Sequence, residues 1–373
     1  MSVSIQRKGD RYYVVYYLPD PAHGSGRRQK WVAAGTSKRD AQTLRNKIAR
    51  DLDRGIYVDD RNMTLAEFLA MWVDERRPAV RESTWKLQRG LLGKHIVPRL
   101  GRVKIKSLRP LQIQQVYTAL LSDLSPNSVR HLHVILKQAL AVAVQWDMLS
   151  NNPADKVKPP APVGRQISYW TREQVGKFLR EAGGYRHYEL YLAAILTGLR
   201  RGELLGLMWE DVDLEAGKVA IRRSLGRGGV LSEPKTRGAR RTVAIPSQLS
   251  SLLRRMQVEQ KEMKLLMGPE YDDSGHVFRQ PWGSYIIPDR ATNHFRELVS
   301  RIPGLPRIRF HDLRHTHATL MLQQGEHPKV VSERLGHASI TITLDTYSHV
   351  IPSLQEQAVD KLAASLDISG AES

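Results

Sequence analysis

The sequence predicts a multidomain chain that combines a small three-stranded β-sheet plus helix, an all-α helical bundle and a larger, mainly α (α+β) unit. Its 373 residues are more than one ordinary hydrophobic core organises. Strand-type patterns occur near the N-terminus and around residues 218–245, and helical periodicity dominates elsewhere. A basic, proline-rich connector at residues 156–166 separates two helical regions. We therefore expect domains at residues 1–58, 62–155 and 167–373, the last with a C-terminal tail.

The N-terminal unit is predicted to contain three strands followed by one helix. Gly9 and Asp10 mark a tight hairpin turn, and the strand after it is rich in Tyr and Val. Ser37 stands where a helix N-cap is expected, before apolar residues spaced three and four apart. The predicted strands cover residues 3–7, 11–18 and 29–34, and the helix runs to about residue 54.

The middle unit is predicted to be a helical bundle. Thr64 and Glu67 form a capping-box pattern that opens its first helix. The apolar residues of that helix are Leu65, Phe68, Leu69 and Trp72. Further helical patterns cover residues 82–96, 109–121 and 126–146, and Asn152 and Pro153 end the bundle.

The amino-acid composition excludes several kinds of chemistry and indicates the kind of partner that the protein binds. Cysteine is absent, which excludes disulfides, thiolate nucleophiles and Cys-based zinc sites. The 57 Lys and Arg residues exceed the 38 Asp and Glu residues by 19, and residues 61–165 carry most of that excess. A structured basic segment fits the phosphate backbone of nucleic acid better than a lipid surface. With no apolar run of membrane-spanning length and no secretory signal pattern, we expect a cytoplasmic protein without a membrane partner.

Two stretches of the last unit carry candidate phosphate-binding cations. Residues 197–203 read T-G-L-R-R-G-E and place two adjacent arginines after an apolar helix pattern. Arginine suits phosphate oxygens in bidentate geometry, although a solvated ion pair between Arg200 and Glu203 is the commoner use of such spacing. Lys235 lies between strand-like residues 219–223 and 241–245, where a lysine is usually only a surface charge.

A histidine-rich stretch follows at residues 311–315, H-D-L-R-H. His311 and Arg314 are three residues apart, so on a helix both project from one face, as binding of a phosphate requires. The alternative takes His311 and His315 as zinc ligands, but no adjacent glutamate stands where a hydrolytic zinc motif needs its base.

The last candidate residues are a histidine and a tyrosine near the C-terminus. His337 follows Leu335 and Gly336, and Tyr347 lies ten residues beyond it in the stretch L-D-T-Y-S-H. An isolated tyrosine more often fills a core than reacts, so its position alone does not identify a nucleophile.

Taken together and in this order, these stretches resemble the tyrosine recombinases, the family that includes the phage integrases. The resemblance covers residues 167–360 and rests on T-G-L-R, K-T, H-x-L-R-H, L-G-H and D-T-Y. It implies the following roles. Arg200 and Arg314 clamp the scissile phosphate, His311 and His337 assist, Lys235 donates a proton and Tyr347 attacks.

The resemblance also selects one of the two adjacent arginines. Arg200 follows Thr-Gly-Leu as the family pattern requires, and it stands three residues before Glu203. We therefore choose Arg200 over Arg201 and predict that Arg200 and Glu203 share a helix face, with Glu203 orienting the arginine.

The implied reaction is site-specific DNA cleavage and rejoining through a 3′-phosphotyrosyl ester and a Holliday junction, which integrates and excises phage or mobile-element DNA. The ester retains the energy of the broken bond, so no ATP is needed, and the arginines take the charge-stabilising role that a metal ion would fill. No cofactor is expected. Four strand cuts require four protomers, so the implied assembly is a homotetramer on double-stranded DNA.

The other units are interpreted through the same family. Residues 62–155 match a helical core-site-binding domain, and residues 1–58 resemble the arm-type DNA-binding domain of integrases that bind two DNA sequences at once. Arm-binding integrases commonly use a DNA-bending host factor and an excision factor, which we expect as partners. The candidate DNA contacts of the N-terminal sheet are Lys8, Arg11, Arg27, Arg28 and Lys30.

Two other functions share much of this pattern. A catalytically silent DNA-binding repressor on the same scaffold would have the same charge and domain plan. A type IB topoisomerase would share the covalent chemistry without exchanging DNA partners. The complete set of catalytic residues argues against the first alternative, and the two additional DNA-binding units argue against the second.

Overall fold

The computed structural model describes residues 3–19, 27–53, 63–164, 167–233, 240–348, 359–360 and 362–363. The chain divides into two compact units, Met1–Gly164 and Arg165–Ser373. The boundary falls inside the proline-rich connector. Within the described residues, no helix combines the length and the apolar character needed to cross a bilayer.

The N-terminal residues form the predicted sheet and helix. The elements are β1 (Val3–Lys8), β2 (Arg11–Pro19), β3 (Arg27–Ala33) and α1 (Lys38–Asp53). The three strands are antiparallel in the order β1-β2-β3. One face of the sheet packs against α1 because Val14, Tyr16 and Val32 alternate inwards and meet Ile48 in a small core.

A helical bundle follows, as predicted. Its helices are α2 (Leu65–Glu75), α3 (Glu82–Leu91), α4 (Val97–Leu100), α5 (Pro110–Leu120) and α6 (Pro126–Gln145). The Thr64 hydroxyl accepts from the Glu67 N–H at 3.3 Å, and the Glu67 carboxylate accepts from the Thr64 N–H at 2.8 Å. This capping box begins α2, whose apolar face lies in the bundle core.

The single helix predicted over residues 82–96 is wrong in detail. Helix α3 ends at Leu91, and Leu92–Ile96 forms a wider π-helical turn before α4. Pro98 in the first turn of α4 explains the difference. Proline has no N–H and its ring clashes with the carbonyl four residues earlier, and a wider turn accommodates both effects.

The C-terminal unit is mainly helical and contains the strand-rich interruption that the sequence predicts. Its helices are α7 (Arg172–Glu181), α8 (Tyr188–Thr197), α9 (Arg201–Leu205), α10 (Ser247–Met267), α11 (Pro288–Arg301), α12 (Asp312–Gln323), α13 (Pro328–Leu335) and α14 (Ile340–Tyr347). Its strands are β4 (Val212–Asp213), β5 (Lys218–Ile221), β6 (Ser224–Leu225), β7 (Leu231–Ser232) and β8 (Arg241–Ala244). The strands form an antiparallel sheet of order β4-β5-β8 and a separate β6-β7 hairpin.

Two hydrophobic cores stabilise this unit. The larger contains the packed aromatic rings of Trp170, Phe178, Tyr191 and Phe295. The smaller joins α12, α13 and α14. It consists of Ala318, Leu322, Val331, Leu335 and Tyr347. The smaller core thus places the candidate nucleophile against two other helices.

Candidate active site

Arg200 lies in the turn between α8 and α9, and that turn depends on a glycine. Gly198 ends α8 with φ of +65°, a left-handed backbone that L side chains rarely adopt. A Cβ at Gly198 would also lie 2.5 Å from Cδ2 of His317. Arg200 then follows in extended conformation as the N-cap residue of α9.

The Arg200–Glu203 pair is a helix cap, so the predicted shared helix face is wrong. Helix α9 begins at Arg201, and Arg200 lies just outside it. The Arg200 backbone N–H donates to Oε2 of Glu203 at 2.9 Å, and Nη1 donates to Oε1 at 2.7 Å. Glu203 is 3% exposed, so this is not the solvated surface pair that the spacing alone allowed.

Glu203 also binds Arg241 at the start of β8. Arg241 donates from Nη2 to Oε2 at 2.9 Å and from Nη1 to Oε1 at 3.2 Å. Burial alone would raise the pKa of Glu203, but hydrogen bonds and charge from Arg241, together with Arg200, hold that pKa below its usual value. The carboxylate therefore stays ionised and joins two guanidinium groups that would otherwise repel each other.

The side chain of Arg201 is directed elsewhere. Its Nη1 donates to the Pro288 carbonyl at 3.1 Å and to the Thr292 hydroxyl at 2.5 Å, both on α11. Arg200 instead donates from Nη2 to the Gly336 carbonyl at 3.2 Å, next to His337. The structure thus brings Arg200, and not Arg201, to the other candidate residues.

Arg314 on α12 is the second candidate phosphate clamp and is 4% exposed. Its Nη1 donates to the Gly198 carbonyl at 3.0 Å, whereas its buried Nη2 has no hydrogen-bond partner among the described residues. Burial, and then the positive charge of Arg200, lower the pKa of Arg314 to about 9, which still leaves it charged at neutral pH. A buried, unpartnered N–H is costly, so this group is poised to bind an anion.

The two candidate histidines lie at helix ends. His311 is the N-cap residue of α12. His337 follows Gly336, the left-handed residue that ends α13, and its Nδ1 lies 2.8 Å from the Thr343 hydroxyl. Burial first, and nearby arginines or His315 second, lower the pKa of each to about 4. Both imidazoles are therefore neutral at physiological pH.

Tyr347 ends α14 and is 1% exposed. Its ring fills the smaller core, and its hydroxyl lies 2.9 Å from Nδ1 of His315. Burial raises the pKa of Tyr347 to about 12, against the opposing effect of the Arg314 charge. The tyrosine therefore both fills a core, as the alternative interpretation holds, and places its hydroxyl within hydrogen-bond distance of a histidine ring nitrogen.

Lys235 lies outside the described residues. The nearest strands on either side of residues 234–239 are β7 and β8, and the first residue of β8, Arg241, contacts Glu203. For the zinc alternative, the rings of His311 and His315 pack edge to face with centroids 5.4 Å apart. No cluster of three potential metal ligands occurs in the part of the chain that the structure describes.

Comparisons with known proteins agree with this arrangement. The phage integrase family model matches residues 169–353, and the N-terminal SAM-like domain of phage integrases matches residues 64–121. A tyrosine recombinase XerC-like protein of Caldanaerobacter subterraneus is 31% identical over 352 residues, which cover 88% of this chain and 90% of that protein. The chain belongs to the tyrosine recombinase family.

This tyrosine recombinase is accordingly a site-specific recombination enzyme. Its sequence is also 27% identical to the ICEBs1 integrase of Bacillus subtilis over 97% of this chain and 99% of that protein.

Solved structures show the same fold. The Tn1549 transposon integrase in complex with transposon right end DNA superposes with a TM-score of 0.68 at 24% identity, covering 81% of this chain and all of that one. A lambda integrase dimer bound to a COC′ core site superposes with a TM-score of 0.59 at 17% identity, covering 92% of this chain and 93% of that one. The predicted fold class is confirmed.

The five N-terminal candidates of this recombinase do not lie together. Alternation along β1 and β2 places the exposed Lys8 and Arg11 on the sheet face opposite α1, with Trp31. Lys30 pairs with the buried Tyr16 on the face that packs against α1. Arg27 and Arg28 lie in β3, and their side chains are outside the described part of the chain.

Two residues of this recombinase site, His315 and Arg241, are not among the predicted catalytic residues. His315 is the last residue of the H-x-L-R-H motif, but only the folded chain shows that it contacts Tyr347. No sequence motif marks Arg241, because its partners, Glu203 and the Arg334 carbonyl, are distant in sequence. Each contact joins separate elements, which local spacing does not reveal.

Proposed function

We propose that Tyr347 cuts one DNA strand by in-line attack on a phosphate that Arg200 and Arg314 clamp, forming a 3′-phosphotyrosyl ester. The unpartnered Nη2 of the buried Arg314 carries this proposal. A phosphate oxygen supplies the acceptor that this group lacks, and Arg314 lies close enough to Tyr347 for its charge to affect the tyrosine pKa.

The surrounding charges suit the transition state of phosphoryl transfer. Negative charge grows on the nonbridging oxygens, and two preorganised guanidinium groups stabilise it without rearranging. His311 and His337 stay neutral and offer one N–H each. If the Thr343 hydroxyl donates to Nδ1 of His337, the ring proton lies on Nε2 and is available to the phosphate.

The leaving 5′-oxygen needs a proton, and the family resemblance assigns that role to Lys235. Resealing follows when a 5′-hydroxyl from the partner duplex attacks the phosphotyrosyl ester, because the ester retains the energy of the original bond. Four such cuts require a homotetramer, which we propose assembles on core-type sites and resolves a Holliday junction. We expect the enzyme to act where prokaryotic DNA lies, in the cytoplasm.

We further propose that residues 1–58 bind arm-type sites and residues 62–155 bind core-type sites, with a DNA-bending host factor and an excision factor as partners. The face of the N-terminal sheet opposite α1 supports the first assignment. It combines the exposed cations Lys8 and Arg11 with Tyr17 and Trp31, which are 42% and 46% exposed. Cations bind phosphates, and aromatic side chains stack on or pack against bases.

Replacing both Lys8 and Arg11 with alanine should weaken binding to arm-type DNA by about tenfold at moderate salt, because two phosphate contacts are lost. Footprinting of the element ends checks this result, and cleavage at an isolated core site should not change. Lys30→Ala is the matched control, since Lys30 lies on the α1 side of the sheet. A larger effect from Lys30→Ala would contradict the assigned binding face.

The cleavage proposal is tested with a nicked suicide duplex that carries the core site, in buffer with a metal chelator. We expect a denaturation-resistant protein–DNA adduct whose phosphate maps by mass spectrometry to Tyr347. Robust specific DNA binding without any adduct would instead favour the silent repressor. An adduct with relaxation of supercoils but no exchange between duplexes would favour the topoisomerase alternative.

A further inference from the structure

Arg241, the first residue of β8, binds two other elements of the C-terminal unit with its side chain, which is 8% exposed. Its Nε donates to the Arg334 carbonyl in the last turn of α13 at 2.7 Å. Its Nη1 and Nη2 donate to the two carboxylate oxygens of Glu203 on α9. Each guanidinium nitrogen of Arg241 therefore has an acceptor within the protein.

The Glu203 carboxylate is the first group that Arg241 holds in place. Each of its oxygens accepts one hydrogen bond from Arg200 and one from Arg241. Oε1 accepts from Nη1 of Arg200 at 2.7 Å and from Nη1 of Arg241 at 3.2 Å. Oε2 accepts from the Arg200 backbone N–H and from Nη2 of Arg241, both at 2.9 Å. Bidentate binding by Arg241 fixes the plane of the carboxylate that orients Arg200.

The turn that ends α13 is the second group that Arg241 holds. Arg200 donates from Nη2 to the Gly336 carbonyl at 3.2 Å, and Arg241 binds the Arg334 carbonyl two residues earlier. Gly336 has φ of +68°, and a Cβ there would lie 2.8 Å from Nη1 of Arg241, so the guanidinium packs directly on this turn. Arg241 thus holds both described acceptors of the Arg200 side chain.

We propose that Arg241 is a positioning residue for the phosphate clamp and that it acts through Arg200. The inference rests on the proposed role of Arg200 in binding the scissile phosphate. Without Arg241, the buried Glu203 would have Arg200 as its remaining guanidinium partner, and the carboxylate would draw that guanidinium away from the phosphate. A displacement of about 1 Å at a reacting group can slow a reaction by about 10²-fold.

A double-mutant cycle separates this role from a general effect on the fold. Arg241→Met removes the guanidinium and keeps most of the apolar stem. Single-turnover adduct formation on the suicide duplex, at saturating protein, is measured for the wild type, Arg241→Met, Arg200→Lys and the double variant. A residue that acts through Arg200 loses its effect once Arg200 is replaced. A residue that only stabilises the unit slows both backgrounds by the same factor.

We expect Arg241→Met to slow cleavage by about 10-fold to 10²-fold when Arg200 is intact, and by less than about threefold in the Arg200→Lys background. DNA affinity, measured by mobility shifts in proteins that also carry Tyr347→Phe, should stay within about threefold, because the loss is in the chemical step and not in binding.

Arg279→Met is the matched control. The Arg279 side chain is 6% exposed, its Nη1 lies 3.7 Å from a carboxylate oxygen of Asp273, and its guanidinium lies over the Tyr271 ring. Arg279 is thus as buried as Arg241 and belongs to the same unit, but these partners are not those of Arg200. Its replacement should change the cleavage rate by less than about threefold in both backgrounds.

Equal slowing in both backgrounds, or a wild-type rate in Arg241→Met, would overturn the positioning role and leave Arg200 in the clamp. A wild type that forms no adduct would overturn the proposed function instead.

Removing one partner of a buried carboxylate can prevent folding, and Arg241→Lys then replaces Arg241→Met in the same cycle. Lysine keeps the charge, but one ammonium group cannot bind both Glu203 and the Arg334 carbonyl with the geometry of the guanidinium. Cleavage that is about tenfold slower only where Arg200 is intact supports the proposal. A wild-type rate in Arg241→Lys opposes it.

Discussion

Tyr347→Phe is expected to abolish the covalent adduct while specific DNA binding stays within about twofold of the wild type. The substitution removes one oxygen atom and leaves the ring in the core formed by α12, α13 and α14. Losing the hydrogen bond to His315 should cost about 0.5–1.5 kcal/mol of folding free energy, too little to unfold the unit. Suicide-substrate gels and electrophoretic mobility shifts measure the two quantities.

Tyr191→Phe is a closely matched control. Tyr191 is fully buried in the same unit, and its hydroxyl also lies against a histidine Nδ1, that of His294. The substitution removes an equivalent tyrosine–histidine contact away from the clamp and should leave adduct formation unchanged. If Tyr191→Phe lost the adduct and Tyr347→Phe kept it, the assignment of the nucleophile would be wrong.

Arg200→Lys is expected to reduce the cleavage rate by about 10²-fold to 10³-fold, comparable to the removal of one donor from a preorganised anion site. The planar guanidinium of Arg200 has enough N–H groups to bind Glu203, the Gly336 carbonyl and a phosphate oxygen together. Lysine keeps the positive charge, but its single ammonium group cannot make all three contacts. Single-turnover cleavage at saturating protein isolates this effect from weaker DNA binding. Mobility shifts that compare the Arg200→Lys, Tyr347→Phe double variant with Tyr347→Phe alone measure the change in DNA affinity.

The neighbouring arginine provides the control. Arg201→Lys should cleave within about threefold of the wild type, because the Arg201 guanidinium is bound to α11 and not to the clamp. A severe loss of cleavage in Arg201→Lys with normal cleavage in Arg200→Lys would mean that Arg201, and not Arg200, binds the phosphate. The pair thus tests a choice between two adjacent residues that are chemically identical.

Several secondary-structure elements were predictable from the sequence because the interactions that form them join residues a few positions apart. The capping pattern at Thr64 and Glu67 predicts the start of α2, since its two hydrogen bonds join residues three apart. The helices predicted over residues 109–121 and 126–146 are confirmed as α5 and α6, with ends that differ by one residue. The π turn after α3 was not predictable from periodicity, because apolar spacing continues through it.

For the site, the sequence by itself determined which residues are candidates and that they belong to one family. It also favoured Arg200 over Arg201 as the clamp residue, which stays a prediction. The tertiary structure decided what each side chain touches. Glu203 bridges Arg200 and Arg241, Arg314 retains an unpartnered N–H, and Tyr347 meets His315.

The physical reason is the separation along the chain between the residues that interact. Helix caps and turns depend on hydrogen bonds between residues a few positions apart, so their patterns are visible in the sequence. The contacts of the site join residues far apart, such as Glu203 with Arg241 and His315 with Tyr347. Such contacts exist only after packing has buried both partners, and burial then sets their charges and pKa values.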